Sequence, residues 1–312
     1  MRDETSHPCC FFIPHPSALI PPMKPAWLKR TLPSGPEYNA VKRLIEHGNL
    51  HTVCQEANCP NRWECFSKKT ATFLILGDQC TRNCRFCNVR HGEPLPLDPE
   101  EPKRVAEAAK TLGLRYAVVT SVTRDDLADG GAAQFAAVIH ALREAQPGIR
   151  VEVLIPDLQG DWNALGIILA ACPDVLNHNI ETVPQLYPAV RAARGPHAAD
   201  YQRSLALLAE AKRQAPDIPT KSGLMVGLGE TDEELLQTLR DLRAAGCAIL
   251  TVGQYLQPTA EHLPVTRYVS PDEFEVLRQA ALEMGFSEAA CGPFVRSSYH
   301  ASETFEQAIL NR

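Results

Sequence analysis

The chain has 312 residues, of which 45% are hydrophobic and 22% charged, and its formal net charge is -6. This composition allows a large hydrophobic core, and the length fits either two domains or one long barrel. A general nucleic-acid binder carries a basic surface, so we expect no nucleic-acid partner. No stretch reaches the roughly 18 apolar residues of a membrane span, so we expect no membrane association.

The first 22 residues contain several prolines and lack the basic start and unbroken apolar run of a signal peptide. We therefore predict an unstructured extension over 1–22 and a cytoplasmic protein. A second methionine, Met23, follows this segment directly. The natural start of the protein is therefore either Met1 or Met23.

Residues 23–70 form a polar region without an obvious periodic pattern, and they contain a cluster of cysteines. The chain has 11 cysteines, and six of them fall between residues 54 and 87. A disulfide scaffold is usually short and secreted, whereas clustered thiols in a reducing cytosol more often bind metal. The first triplet, with the spacing CxxxxCxxxxxC, consists of Cys54, Cys59 and Cys65.

Residues 71–290 alternate short apolar runs with amphipathic stretches, which is the pattern of buried parallel strands joined by helices. Six such units predict an α/β fold with an open, partial (β/α)6 barrel like part of a TIM barrel. An eight-unit barrel would need more strands than the sequence supplies. Two Ser/Thr-x-x-Glu capping boxes predict the starts of the last two helices. We predict strands at 71–76, 115–122, 151–156, 174–181, 220–227 and 248–255, and helices at 101–112, 131–146, 161–171, 199–214, 231–245 and 271–284.

The second triplet, Cys80, Cys84 and Cys87, has the spacing CxxxCxxC and directly follows the first predicted strand. A barrel places its active-site loops after its strands. Three thiolates can hold three irons of a 4Fe–4S cube and leave the fourth iron open to a small ligand. A structural zinc site is the alternative, because His91 lies close enough in sequence to be a fourth ligand.

Asn179 and Glu181 end the fourth predicted strand, and strand alternation directs both side chains to one face. If that face is the barrel interior, the two side chains can bind the polar groups of a cofactor. The alternative is a satisfied polar pair at a strand end. Residues 291–312, which follow the predicted barrel, form a tail.

Several further segments match the sequence pattern of one family. Together with the two triplets, they make the chain resemble the lipoyl synthase family of the radical S-adenosylmethionine superfamily over about residues 25–305. The matching segments are 54–61, 120–127, 129–131, 177–182, 220–230, 253–258 and 296–300.

The resemblance implies a role for each triplet and for each region. The second triplet would hold a radical-generating 4Fe–4S cluster that binds S-adenosylmethionine, with Asn179 and Glu181 as further cofactor-binding residues. The first triplet would hold an auxiliary 4Fe–4S cluster, with Ser298 as the fourth ligand and Ser297 as the second choice. Residues 23–70 would thus be the auxiliary-cluster region, 71–290 the radical barrel and 291–312 the tail that closes the auxiliary cluster.

The resemblance also implies the reaction, which is the insertion of two sulfur atoms at C6 and C8 of a protein-bound N6-octanoyl-lysine. A 5′-deoxyadenosyl radical would abstract hydrogen, and the auxiliary cluster would donate the sulfur. The implied partners are octanoylated carrier domains of 2-oxoacid dehydrogenase acyltransferase subunits and the glycine cleavage H protein, a ferredoxin or flavodoxin reductant, and an iron–sulfur cluster carrier. The alternatives are another two-cluster radical enzyme, such as a methylthiotransferase, and a non-catalytic metal- or cluster-binding protein.

Overall fold

The structure is a computed structural model, and it describes residues 23–29, 35–191 and 198–311. The predicted unstructured extension over 1–22 lies outside the described residues, so that expectation stays a prediction. In the described part of the chain, no helix has the length and apolar character needed to cross a lipid bilayer.

Strands and helices alternate along most of the described chain, as predicted. The strands are β1 (His51–Thr52), β2 (Thr72–Ile75), β3 (Gln79–Cys80), β4 (Arg90–His91), β5 (Tyr116–Ser121), β6 (Arg150–Leu154), β7 (Val175–Asn177), β8 (Thr220–Val226), β9 (Ile249–Gln254) and β10 (Glu288–Gly292). The helices are α1 (Pro36–His47), α2 (Val53–Glu56), α3 (Arg62–Ser67), α4 (Glu101–Leu112), α5 (Ala132–Ala145), α6 (Trp162–Ala170), α7 (Tyr187–Val190), α8 (Tyr201–Gln214), α9 (Asp232–Ala244), α10 (Pro271–Glu283) and α11 (Ala301–Leu310).

Eight of the strands form one sheet in the order β1-β2-β5-β6-β7-β8-β9-β10. From β2 to β10 every neighbouring pair is parallel, whereas β1 runs antiparallel to β2. Among the described residues β1 and β10 do not pair with each other, so the barrel has an open side between these two edges. The predicted open, partial (β/α) barrel is confirmed.

The structure contains elements that the sequence analysis did not predict. The β10 strand is a seventh parallel strand, and it crosses position 290, where the barrel was expected to give way to the tail. The interpretation of 23–70 as lacking a periodic pattern was wrong for α1, which buries Tyr38, Val41 and Ile45 at helical spacing. The α11 helix forms the C-terminal part of the tail.

Two hydrophobic clusters hold helices on the outside of the sheet. One packs α1, α4, α5 and α6 against β2, β5 and β6, and the other packs α8, α9 and α10 against β8 and β9. Both predicted capping boxes are present, with Thr231 and Glu234 at the start of α9 and Ser270 and Glu273 at the start of α10. Each box pairs two backbone N–H groups that would otherwise have no partner.

The barrel interior contains a buried polar network. Glu152 of β6 receives hydrogen bonds from Lys221 Nζ at 2.9 Å, from Asn177 Nδ2 at 2.9 Å and from the Tyr116 hydroxyl at 2.8 Å. Burial and the neighbouring Glu152 raise the pKa of Tyr116, so this phenol stays protonated and donates. The network therefore links β5, β6, β7 and β8 from inside the barrel.

Replacing Lys221 with methionine should destabilise the protein by about 3–5 kcal/mol, because the change leaves the Glu152 carboxylate buried without its countercharge. Urea unfolding of the reconstituted protein under anaerobic conditions would measure the loss. Lys42 forms an exposed pair with Glu46, and its replacement with methionine is the matched control. That control should cost about 1 kcal/mol or less. Equal stabilities for the two variants would contradict the prediction.

Candidate active site

The central cavity has a volume of about 370 Å³, and its lining includes residues at or near the C-terminal ends of β6 to β10. In parallel sheets these ends lie at one edge, where barrel enzymes place their chemistry. The cavity brings together most of the residues singled out in the sequence. Those that line it are Cys54, Cys59, Cys65, Cys87, Asn179, Glu181, Ser297 and Ser298.

In the second triplet, Cys80 is the last residue of β3, and Cys84 and Cys87 lie on the loop between β3 and β4. Backbone N–H groups of Arg82 and Thr123 donate to Cys80 Sγ at 3.4 and 3.3 Å. Burial raises the pKa of Cys84, and charge on Cys80 adds to this shift. Burial, together with charge on Cys84 and Cys80, raises the pKa of Cys87 to about 12. This mutual effect reflects how near the three thiols are to one another. Iron binding would displace their protons.

Buried ion pairs fix the loop of the second triplet to the barrel. Arg82 Nε lies 2.7 Å from Asp125 Oδ2, and Arg82 Nη2 lies 2.7 Å from Asp157 Oδ1. Asp157 also receives a hydrogen bond from Arg203 at 2.9 Å. Burial alone would raise the pKa of Asp157, but the hydrogen bonds and charge of Arg82, together with the charges of His178 and Arg203, outweigh burial and lower that pKa. Sequence analysis missed this arginine, because nothing in the local pattern identifies its two distant carboxylate partners.

The first triplet follows the edge strand β1. Thr52 caps α2 by accepting a hydrogen bond from the Gln55 N–H, and this short helix carries Cys54. Burial raises the pKa of Cys54, and charge on Cys59 and Cys65 raises it further. The three thiols therefore lie near one another at the wall of the central cavity.

The described residues contain no three His, Cys, Asp or Glu side chains that converge closely enough to hold a single metal ion. His91, the alternative zinc ligand, pairs with Cys80 across the β3–β4 ladder, and its side chain is exposed. In a 4Fe–4S cube each thiolate binds its own iron, so the ligands need not converge on one point. Both triplets are thus compatible with a cube.

The tail passes from β10 into the central cavity, where its two candidate serines differ in their contacts. The Ser297 hydroxyl donates to Asn179 Oδ1 at 2.7 Å. Ser298 lines the cavity beside the first triplet, and its hydroxyl makes no hydrogen bond to any described residue. Asn61, from the first triplet's segment, donates through Nδ2 to the Phe294 carbonyl at 2.7 Å and so ties the tail to that segment.

Asn179 and Glu181 lie on a loop and not on a strand, because β7 ends at Asn177. The predicted strand over 174–181 was too long at its C-terminal end; Glu181 has a left-handed φ of 68°, which interrupts an extended strand. Asn179 Nδ2 donates to Glu181 Oε1 at 3.1 Å. Burial raises the pKa of Glu181, although the nearby Arg191 opposes this shift. A cationic ligand in the cavity would therefore be attracted to this carboxylate.

Two glycines allow the tail to pack into the barrel, and the sequence analysis did not single them out for this role. A Cβ atom at Gly253 would lie 2.0 Å from the Val295 carbonyl oxygen. A Cβ atom at Gly223 would lie 2.7 Å from Ser297 Oγ. These contacts are closer than real Cβ atoms approach, so only glycine fits at both positions.

Two family models match the chain. The Radical SAM superfamily matches residues 74–242, which include the whole second triplet. The N-terminal domain of lipoyl synthase of the radical SAM family matches residues 21–59, which include Cys54 and Cys59.

Related proteins match almost the whole chain. A lipoyl synthase of Desulfotalea psychrophila is 58% identical over 289 residues, which cover 93% of this chain and 95% of the relative. A lipoyl synthase of Rubrobacter xylanophilus is 55% identical over 285 residues, which cover 91% of this chain and 87% of the relative. The crystal structure of a maturase of the [FeFe]-hydrogenase is similar with a TM-score of 0.53 and 17% identity, covering 80% of this chain and 53% of that chain. This last likeness shows the fold alone.

Replacing Gly253 with alanine should displace the tail from the cavity, because the new methyl group would collide with the Val295 carbonyl. Amide hydrogen exchange over 293–300 should become faster while exchange in α6 stays unchanged. Gly166→Ala is the control, since its Cβ would meet only the end of the exposed Gln214 side chain, at 3.2 Å. If exchange over 293–300 were the same in both variants, the close packing of the tail would be refuted.

Proposed function

Because the chain belongs to the lipoyl synthase family of the radical SAM superfamily, we propose that the central cavity and its two cysteine triplets form the catalytic centre of that family's reaction. The protein is a radical S-adenosylmethionine sulfurtransferase that inserts two sulfur atoms, at C6 and C8, into a protein-bound octanoyl-lysine. It uses S-adenosylmethionine and two 4Fe–4S clusters, and it acts on lipoyl carrier proteins.

We assign the radical-generating cluster to Cys80, Cys84 and Cys87. Their loop follows the first parallel strand, is fixed by the buried Arg82 ion pairs, and presents Cys87 to the central cavity. With S-adenosylmethionine bound, this cluster supplies the radical chemistry that an unactivated C–H bond requires. The protein's own contribution is to hold three thiolates in a rigid setting and to leave the fourth iron to the cofactor.

Asn179 and Glu181 bind the amino-acid end of S-adenosylmethionine in this proposal. The buried Glu181 carboxylate has an amide as its hydrogen-bond donor, and a bound ammonium group would supply the positive charge that burial makes favourable. Ser297 holds Asn179 in place by donating to its side-chain oxygen. Because Gly223 has no Cβ, the side chains of Asn179 and Ser297 have room beside it.

The auxiliary cluster is the sulfur substrate, and we assign it to Cys54, Cys59, Cys65 and Ser298. These residues line the same cavity as Cys87, so one acyl chain can reach both sites. Ser298 is preferred to Ser297 because the Ser297 hydroxyl is already bonded to Asn179. Residues 23–70 then form the auxiliary-cluster region, 71–290 the radical barrel and 291–312 the closing tail.

The cavity wall also supports the choice of substrate. Leu154, Leu224, Met225, Tyr255 and Leu256 provide apolar surface that suits a saturated acyl chain. The carriers in this proposal are octanoylated domains of 2-oxoacid dehydrogenase acyltransferase subunits and the glycine cleavage H protein. A ferredoxin or flavodoxin supplies electrons, and an iron–sulfur cluster carrier restores the spent cluster. All cysteines in the described residues are free thiols, which suits a reducing cytoplasm.

Anaerobic reconstitution should give about eight irons per chain, because each triplet holds one cube. Dithionite, S-adenosylmethionine and an octanoyl-lysine peptide should then yield 5′-deoxyadenosine and a peptide that carries two added sulfurs, detected by mass spectrometry. Replacing the second triplet with alanines should leave about four irons and abolish cofactor cleavage. Stoichiometric zinc without cleavage would point to a metal-binding protein, and a tRNA requirement would point to a methylthiotransferase.

The two serines should behave differently when replaced. Ser298→Ala should abolish sulfur insertion while S-adenosylmethionine cleavage persists, and Ser297→Ala should keep the iron content and raise the KM for S-adenosylmethionine. Ser298→Cys should retain the auxiliary cluster and make less product, because a thiolate holds iron more firmly than an alkoxide. Iron analysis would measure the cluster content of each variant, and product yield would measure sulfur insertion. Rates of S-adenosylmethionine cleavage would give the KM of Ser297→Ala. Loss of sulfur insertion in Ser297→Ala but not in Ser298→Ala would reverse the assignment.

A further inference from the structure

A second cavity of about 380 Å³ lies on the other side of the proposed auxiliary site. Its lining includes residues near the N-terminal ends of β2 and β5, and residues 298–303 of the tail. Four residues line both cavities, so they form a partition between them. The shared residues are Cys65, Thr72, Ser298 and Tyr299.

One carboxylate on α3 holds the tail side of this partition. The Tyr299 hydroxyl donates to Glu64 Oε2 at 3.0 Å, and His300 Nε2 lies 3.6 Å from Glu64 Oε1. Lys68 Nζ, one helical turn away, lies 2.7 Å from the same Oε1 atom and orients the carboxylate. Glu64 immediately precedes Cys65, and Tyr299 immediately follows Ser298. A single side chain therefore connects the neighbours of two proposed cluster ligands.

The backbone of the tail is held in an uncommon conformation at this point. His300 has φ 52° and ψ 37°, in the left-handed region that non-glycine residues seldom adopt. Its ring is held from two sides, by Glu64 and by Glu303 Oε1 at 2.9 Å from Nδ1. Such conformations persist only where surrounding contacts enforce them, so loss of the Glu64 contacts would favour a different path for 298–300.

The contact with Glu64 is also separate from the attachment of the tail through Asn61. Asn61 holds Phe294, which lies before the two serines, whereas Glu64 holds Tyr299 and His300, which lie after them. Releasing Glu64 would thus remove the contacts of Tyr299 and His300 with α3 while the contact at Phe294 stays.

We propose that Glu64 is a positioning residue that latches residues 298–300 onto α3 and thereby sets how readily the auxiliary site opens toward the second cavity. The inference rests on the proposed function, which makes Ser298 a cluster ligand. A sulfur substrate that is consumed must be exposed and replaced. Contacts from one partly exposed carboxylate are strong enough to close the site and weak enough to release it.

The test uses the full-length chain in which Cys80, Cys84 and Cys87 are replaced by alanine, so that only the auxiliary site can hold iron. A ferrous-iron chelator is added anaerobically, and the loss of cluster absorbance gives a rate. Glu64→Ala should accelerate this loss about tenfold, the scale of one hydrogen bond to a charged group. Tyr299→Phe removes the hydroxyl that bonds to Glu64 and should also accelerate the loss of cluster absorbance.

The double variant Glu64→Ala/Tyr299→Phe should lose the cluster no faster than Glu64→Ala, because Glu64→Ala already breaks the one contact that Tyr299→Phe removes. Glu56→Gln is the matched control, since Glu56 lies between two cysteines of the same triplet but pairs with His51. It should leave the rate unchanged. In a Ser298→Ala background, Glu64→Ala should add nothing, because the ligand that it positions is gone.

The outcomes separate the two proposals. Fewer than about four irons in the parent variant would overturn the assignment of the auxiliary cluster itself. Four irons in the parent with unchanged rates in Glu64→Ala and Tyr299→Phe would overturn the latch alone. A full tenfold effect of Glu64→Ala in the Ser298→Ala background would mean that Glu64 only stabilises the fold, which also contradicts the latch. Tyr299→Phe keeps the test decisive if Glu64→Ala does not fold.

Discussion

The open side of the barrel is the constraint on which the rest of this structure depends. A sheet that does not close leaves two edge strands, and unpaired strand edges must be covered. Here both edges continue directly into the segments that fill the gap. The β1 strand leads into α2 and Cys54, and β10 leads into the tail with Ser298. The proposed auxiliary site is therefore made from the two parts of the chain that the incomplete sheet leaves available.

The parallel arrangement of the other strands then determines what faces this gap. The seven parallel strands of the large sheet all end at the same edge, so loops that are far apart in sequence border one cavity. The second triplet comes after β2, and Asn179 and Glu181 come after β7, yet Cys87 and Glu181 line the same space as the first triplet. A substrate in that space has the proposed radical source on one side and the proposed sulfur source on the other.

Local sequence patterns predicted the parts of this arrangement that depend on local physics. The six apolar runs became strands because helices cover them on the outer face, and cysteine spacing identified both triplets. The apolar pattern did not predict β10, because its sequence EAACG is short and composed mostly of small residues. It also did not predict α11, which follows β10. It also could not identify partners across long separations. Ser297 meets Asn179 118 residues away, and Tyr299 meets Glu64 235 residues away, so only the folded chain distinguishes Ser297 from Ser298.

The two proposed cluster sites are held by contacts of different strength, and the difference agrees with their different fates. Arg82, Asp125 and Asp157, which fix the second triplet's loop, have side chains no more than 3% exposed, so breaking one pair would leave a buried charge uncompensated. Glu64 is 28% exposed and His300 is 39% exposed, so water can replace their contacts at little cost. A cluster that serves repeatedly belongs in the rigid setting. A cluster that is consumed needs a wall that can open, and residues 298–300 of the tail, which lie between β10 and the packed helix α11, are held onto α3 by these solvent-accessible side chains.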